Sequence, residues 1–285
     1  MNTVNPPAPS LRQTLAGLQA RGLDRLDAQL LLLYLLGKPD NQRGWLMAHD
    51  DEPLPPALAS ALELLVVRRL SGEPLAYLTG RKEFFGLDLQ VDDRVLVPRP
   101  DTETLVNWAL ELLDGQQRVL DMGTGSGAIA LALKASKPSL HVHATDFSAE
   151  ALAVASANAG KLKLGIRFSQ GAWFAALSES EAPFDCIVSN PPYIAELDPH
   201  LAALAFEPSL ALTSGSDGLD DLRQIVSQAE KHLVPGGWLL LEHGYDQAQA
   251  VRNLLTASGF VQVQSRHDLA GIERCSGGQF NLSTQ

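Results

Sequence analysis

The chain has 285 residues, 45% apolar and 19% charged, which is enough ordinary globular sequence for one large domain or two modest ones. Its formal charge is −11, and the acid is concentrated: residues 1–80 hold 7 Lys/Arg against 8 Asp/Glu, residues 81–285 hold 15 against 25. That balance argues against a nucleic-acid enzyme, which carries a basic footprint to neutralise phosphates.

The opening Asn5-Pro-Pro-Ala-Pro-Ser10 lacks the charged start and apolar stretch of a signal peptide and reads as a frayed end. Ser10 is placed to cap a helix through about Gln19. Asp24 is placed to start a second helix carrying Leu26, Leu30, Leu33 and Tyr34, which Gly37 ends. The longest apolar run, Leu30–Leu36, lies here and is too short to cross a bilayer, so no membrane is expected. A third helix spans Pro56 to Leu70, with Leu58, Leu62, Leu65, Val66 and Arg69 at helical spacing. This leucine stripe is core, and Trp45 and His49 fall in the loop region between helices.

Over residues 81–97 the period changes to an alternation through Phe84, Phe85, Leu87, Leu89 and Val91, then Val95 to Val97, which predicts a β-hairpin turning near Asp92-Asp93. Pro98-Arg99-Pro100-Asp101-Thr102-Glu103 suits the first turn of a helix running to about Leu113, but leaves Arg99 without a reason. From Val119 the elements alternate: strand to Met122, glycine loop, helix 128–135, strand 140–145, helix 149–159, strands near 166–169 and 186–188. Helices near 219–232 and 246–258 and strands near 238–243, 261–265 and 274–282 complete the chain. That alternation predicts an α/β fold with a doubly wound, mostly parallel sheet. The two cysteines, Cys186 and Cys275, fall in strand interiors and fit a reducing cytoplasm. The long segment 193–215 reads as a lid or substrate wall.

The stretch that organises the chemistry is Phe184 to Tyr193, where a short apolar strand stops at Asn190-Pro191-Pro192-Tyr193. Two prolines cannot continue a sheet ladder, so the backbone leaves as a stiff extended elbow at the carboxyl end of a strand, where open α/β sheets bind ligands. The Asn190 amide oxygen and the free carbonyl of Pro191 are two acceptors suited to one planar –NH2 group, although Asn-Pro also serves as an ordinary turn starter.

Asp121-Met-Gly123-Thr124-Gly125-Ser126-Gly127 follows a strand and opens a helix. With Ala128 it satisfies a dinucleotide-binding pattern. Asp121, however, is better placed to hold an ammonium than to sit beside a pyrophosphate, and the tight glycine spacing is similar to that of S-adenosylmethionine (SAM) sites. Asp146, 19 residues after Gly127, is placed to accept both ribose hydroxyls or to cap the next helix. Trp173 either packs on a purine or fills core. His141 and His143 share a strand face without further ligands, so no metal is expected. Ser126, Ser189 and Ser214 lack a nucleophile elbow, so a hydrolase triad is not expected.

Three blocks in order, P-R-P-D-T-E (98–103), D-M-G-T-G-S-G-A-I-A (121–130) and S-N-P-P-Y-I (189–194), resemble the HemK/PrmC-type N5-glutamine methyltransferases. L-A-Y-L-T-G-R-K-E-F-F-G (75–86), A-F-E-P (205–208) and L-L-L-E-H-G (239–244) extend the resemblance over nearly the whole chain. It implies a Rossmann-like methyltransferase domain over 98–285, a helical substrate-docking domain over 1–80 and a hairpin linker over 81–97. It also implies a monomeric cytoplasmic enzyme with SAM as methyl donor and S-adenosylhomocysteine as product. The substrate implied is the Gly-Gly-Gln glutamine of class-1 peptide chain release factors, with no direct nucleic-acid partner. A ribosomal-protein glutamine, a nucleic-acid amino group and a non-catalytic SAM-binding protein are the rival readings.

By resemblance, Gly123, Thr124, Gly125, Ser126 and Gly127, with Asp121, line the methionyl side, Asp146 the ribose and Trp173 the adenine. Asn190 closes the SAM site and binds the glutamine, Pro191, Pro192 and Tyr193 shape its slot, and Arg99 joins the substrate side. One departure is Ala172, where members of the family often carry an acid before the Trp.

Overall fold

The computed structural model describes residues 8–281, and the chain divides into two compact units at Gly80/Arg81. The expected frayed start at Asn5-Pro6-Pro7 and the end of the last strand at Leu282 lie outside the described residues.

Among the described residues the first unit holds five helices: α1 (Leu11–Ala20), α2 (Arg25–Leu35), α3 (Arg43–Ala48), α4 (Pro56–Leu70) and α5 (Leu75–Thr79). Ser10 and Gln13 form a reciprocal capping box on α1, and the Asp24 carboxylate accepts from Leu26 N at 2.7 Å to start α2. The buried face of α2 is Ala28, Leu31, Leu32 and Leu33, while Leu26 and Tyr34 are exposed. The expected stripe therefore holds only in part. A run of seven apolar residues, Leu30–Leu36, has no polar face of its own, so periodicity does not fix which side packs. Trp45 belongs to α3 rather than a loop and stacks on His49 with ring centroids 4.1 Å apart.

The second unit opens with an antiparallel hairpin, β1 (Arg81–Phe84) and β2 (Leu87–Gln90), with Phe84 opposite Leu87. The turn is thus Phe85-Gly86, not Asp92-Asp93. Both central residues are left-handed, φ +50° and +77°, the two-residue hairpin turn whose twist matches the strands. Asp92 instead closes a small loop, its carboxylate accepting from Arg94 N and paired with the Arg94 guanidinium.

A 3-10 turn at Pro100–Thr102 leads into α6 (Glu103–Leu112). The alternation then runs β3 (Arg118–Met122), α7 (Ala128–Ser136), β4 (His141–Asp146), α8 (Ala149–Leu162), β5 (Arg167–Gln170) and β6 (Phe184–Ser189). It ends with α9 (Asp220–Ala229), β7 (Leu233–Glu242), α10 (Ala248–Ala257), β8 (Val261–His267) and β9 (Glu273–Gln279). Seven strands form one sheet in the order β5-β4-β3-β6-β7-β9-β8, parallel except for β9, which runs antiparallel to both neighbours. The doubly wound, mostly parallel sheet is as the sequence implies.

Helices cover both faces, so central strands are apolar on both sides: Val119, Leu120, Met122, Cys186, Ile187 and Val188 are all fully buried. Both cysteines are free and buried in strands β6 and β9. The chain starts at β3 in mid-sheet, winds outward to β5, then returns to lay β6 on the other side of β3. The carboxyl ends of β3 and β6 are therefore adjacent, with Met122 opposite Ser189, and a crevice opens there.

Candidate active site

A cavity of about 850 Å³ occupies that crevice. Gly123, Thr124, Gly125, Ser126, Asp146, Trp173, Asn190 and Pro192 all line it. Residues 67 positions apart in sequence are thus brought to one wall, Gly123 from the end of β3 and Asn190 from the end of β6. Asp121, Gly127, Pro191, Tyr193 and Arg99 are not among the residues that line it.

The glycine loop is tied down from within. Gly123 N and Thr124 N both donate to Thr145 O, Gly127 N to Thr124 O, and Gly125 N to the Asp146 carboxylate at 2.8 Å. A phosphate cradle needs such N–H groups free, and here four of them are consumed. Of the two readings of the glycine pattern, this counts against a pyrophosphate cradled by the loop. Gly127, at φ +86°, caps α7, and a Cβ there would meet Leu131 Cδ1 at 3.0 Å and Ala155 Cβ at 3.2 Å. Helix α7 can lie against α8 at that point only without a side chain.

Asp121 is wholly buried under the loop, its Oδ2 accepting from Thr124 Oγ1 at 2.6 Å and Ala130 N at 3.1 Å. Burial pushes its carboxyl up to about 7, against the pull of those two hydrogen bonds. Its place is a brace beneath the cavity floor. Asp146 faces the cavity, with one oxygen on Gly125 N and the other on Ser148 N. Burial raises its pKa while those backbone donors oppose the rise. A carboxylate has about four lone-pair sites, so two acceptor directions remain for a ligand's hydroxyls.

The charged side chains lining the cavity are Asp93, Asp146, Glu150, Asp221 and a single cation, Arg94, which is already paired with Asp92. Such a lining suits a cationic ligand and repels a polyphosphate.

Trp173 sits at φ +47° after the extended Gly171-Ala172 step, with its indole edge against Gly123. Its Nε1–H donates to Asp221 Oδ1 at 3.1 Å. Asp221, from the first turn of α9, therefore stands in the cavity wall together with Ala172 and Trp173. Sequence reasoning did not single it out.

At the other lip, Asn190 Nδ2 donates to Thr102 Oγ1 at 3.3 Å, while its Oδ1 is buried without a partner. An unpaired buried acceptor costs about 1–3 kcal/mol, and this one belongs to a residue that lines the cavity, where an incoming donor could satisfy it. Tyr193 packs against the core that contains Ile187, Leu239 and Leu241; its hydroxyl donates to Glu242 at a long 3.4 Å, and burial pushes its pKa upward. Ser189 Oγ donates to Met122 O and so locks β6 to β3 next to the elbow.

Arg99 has found its reason. Its guanidinium pairs with Glu207 at 2.5 Å, and the other Glu207 oxygen accepts from Val97 N. Glu207 belongs to the 194–215 segment, whose legs are also stapled by Ile194 N to Leu212 O and Ser214 N to Ile194 O. Pro208, Leu210 and Thr213 of that segment line the cavity, as a wall would. His141 is exposed and His143 buried against Ser169, its pKa lowered by desolvation to about 4; among the described residues no cluster of three metal-ligating side chains exists. No described helix is long and apolar enough to cross a membrane.

Residues 101–206 match the family described as methyltransferase small domain, and residues 10–80 match the PrmC N-terminal domain. The release factor glutamine methyltransferase of Bordetella pertussis is 51% identical over 90% of this chain and 95% of its own. That of Burkholderia pseudomallei is 49% identical over 98% and 99%. The chain belongs to the release factor glutamine methyltransferases. A solved methyltransferase from Pyrococcus furiosus, 21% identical, shares the fold with a TM-score of 0.54 over 76% of this chain and 98% of its own. As a member of the family the chain is an enzyme, and its methyl donor is S-adenosylmethionine. The acid-lined cavity with its saturated glycine loop fits that donor, which brings an ammonium, a sulfonium and no phosphate.

Proposed function

We propose that this enzyme methylates the N5 side-chain amide of the glutamine in the Gly-Gly-Gln motif of class-1 peptide chain release factors. The observation that carries the reading is the buried, partnerless Oδ1 of Asn190 at the cavity lip. An amide nitrogen is a weak nucleophile because its lone pair is delocalised into the carbonyl. Asn190 Oδ1 and the Pro191 carbonyl hold its two N–H bonds and turn the lone pair inward, while Pro192 and Tyr193 bound the slot. SAM supplies the electrophilic methyl group when bound. Orientation of this kind is worth roughly 7–11 kcal/mol of barrier, so no dedicated base is required before transfer.

On the donor side, Gly123 to Gly127 border the methionyl group over the Asp121 brace, Asp146 takes the ribose hydroxyls, and Trp173 with Asp221 borders the adenine. Asp221 offers a carboxylate in a wall where Ala172 has none. Arg99 acts through Glu207 by holding the substrate wall rather than by touching the glutamine. Residues 1–80 serve as docking domain, 81–97 as link and 98–285 as the transferase, working as a cytoplasmic monomer on protein rather than nucleic acid. The excess of 25 acids over 15 bases in residues 81–285 supports the last point.

The test is mass spectrometry of purified release factor after incubation with the enzyme and SAM, with a ribosomal protein alongside. One methyl on the Gly-Gly-Gln side chain is expected. Methylation of the ribosomal protein alone moves the partner, and none on either overturns the reading.

A further inference from the structure

The elbow that carries Asn190 is held at both ends. At its start Ser189 Oγ donates to Met122 O. At its end the Tyr193–Ile194 peptide is gripped at both poles: Ile194 N donates to Leu212 O at 2.9 Å, and Tyr193 O accepts from Gln247 Nε2 at 2.9 Å. Leu212 belongs to the 194–215 wall, whereas Gln247 stands at the start of α10 and ties the peptide to the body of the domain.

Gln247 is itself fixed. Its Oε1 accepts from Gly244 N at 2.8 Å, and its Nε2 also faces Asp217 O and Gly218 O at 3.4 Å. A backbone N–H only donates and a carbonyl only accepts, so this amide has one allowed orientation, with its –NH2 on the carbonyls. Gly218, at φ +75°, lets the chain pass at that point, where a Cβ would overlap Tyr193 O. One side chain thus joins the elbow, the loop before α9 and the loop after β7.

We propose that Gln247 is a positioning residue for methyl transfer: by holding Tyr193 O it sets where the stiff Asn190-Pro191-Pro192 elbow offers its acceptors to the substrate amide. Each proline fixes its own φ and restricts the residue before it, so the elbow has few torsions with which to absorb a shift at Tyr193. A displaced carbonyl there is passed along to Pro191 O and Asn190 Oδ1. The donor side is tied separately, since Asp221 N donates to Ser214 Oγ at 2.8 Å and the Asp146 carboxylate holds Gly125 N. Loss of the Gln247 contact therefore falls on transfer and spares SAM. The inference rests on the reading of the elbow as the substrate slot.

The experiment is release factor methylation by wild type, Q247E, Q247M and N190A between about pH 5.5 and about pH 8.5, with SAM affinity and melting temperature measured on each. Q247E keeps the shape and the acceptor for Gly244 N but, when ionised, has no donor for Tyr193 O. At about pH 8 it should lose about 10- to 100-fold in kcat, with SAM affinity and melting temperature near wild type. Protonation returns one O–H donor, so its rate relative to wild type should climb as the pH falls. The carbonyls that face the introduced carboxyl, with Asp246 and the Arg223-paired Asp217 nearby, lift it above its usual value of about 4.3 and bring that climb into range. Both acids are common to wild type and variant. Q247M supplies neither donor nor acceptor and should stay slow at every pH.

A merely structural role would weaken SAM or lower the melting temperature, with no recovery of Q247E in acid. Folded Q247E with wild-type kcat at about pH 8, or slow without that recovery, overturns the inference. If Q247E does not fold, Q247M with wild-type kcat overturns it instead. N190A with wild-type turnover defeats the reading of the elbow itself, a result separate from either.

Discussion

The two strand ends that frame the cavity solve opposite problems. At the end of β3 the glycine loop is tied to its own neighbours: loop N–H groups go to Thr145, Thr124 and Asp146, and Asp121 Oδ2 takes Thr124 and Ala130, while Asp121 Oδ1 stays unpaired beneath the loop, off the cavity. At the end of β6 an acceptor is left open, Asn190 Oδ1, with prolines on either side of the carbonyl that joins it. The first end is a shaped surface, held by the bonds of its loop N–H groups. The second is a reactive edge, whose value is what it has not yet bonded. A site of this kind binds one partner by fit and the other by unmet hydrogen bonding, and each half should fail in its own way.

The sharpest separation comes from Asn190→Ala. It removes the open acceptor and should cut methyl transfer by roughly 10²–10³-fold, as deletion of a preorganised polar group does elsewhere, with SAM affinity retained by calorimetry. Loss of SAM binding instead would erase the distinction between the two ends. Asp146→Ala attacks the saturated side: it frees Gly125 N and removes a charged acceptor, and should weaken SAM by about 10- to 100-fold while saturating SAM restores most of the rate. Unchanged affinity would take Asp146 out of the donor site. Gly127→Val tests whether the loop is held by packing. With φ at +86° and Leu131 Cδ1 3.0 Å from the new Cβ, it should lower stability by about 1–3 kcal/mol. A shift in the urea midpoint at constant slope would report it, and an unchanged midpoint would mean the α7–α8 contact gives way easily.

Elements whose cause is local were legible before any coordinates. Ser10 and Asp24 announce helix starts because their side chains cap from one turn away. Asn190-Pro191-Pro192 announces a break because proline restricts its own residue and the one before it. The hairpin turn was misplaced because Phe85 adopts φ +50°, a conformation bulky residues seldom take, while Asp92-Asp93 is an ordinary turn pair. Gly86 was the available signal. The face of α2 was ambiguous because Leu30–Leu36 is apolar throughout.

What stayed hidden depends on residues distant in sequence. Arg99 has meaning only beside Glu207, Trp173 beside Asp221, and Thr102 beside Asn190. Thr102 and Asn190 both sit in blocks that carry the family resemblance, yet neither block says that they meet.

The order of strands has a consequence for how the protein comes into being. Strand β3 is laid down first, then the chain travels outward through β4 and β5 before β6 returns to pair with β3. Closing a loop that long carries an entropy cost before any reward from pairing, so the crevice belongs among the later features to mature. A chain with only β3–β5 assembled would own the glycine loop but lack Asp221 and the wall of Pro208, Leu210 and Thr213, so its cavity would be unfinished. A ligand that binds only the finished cavity stabilises the closed sheet by mass action, so added SAM should raise the melting temperature.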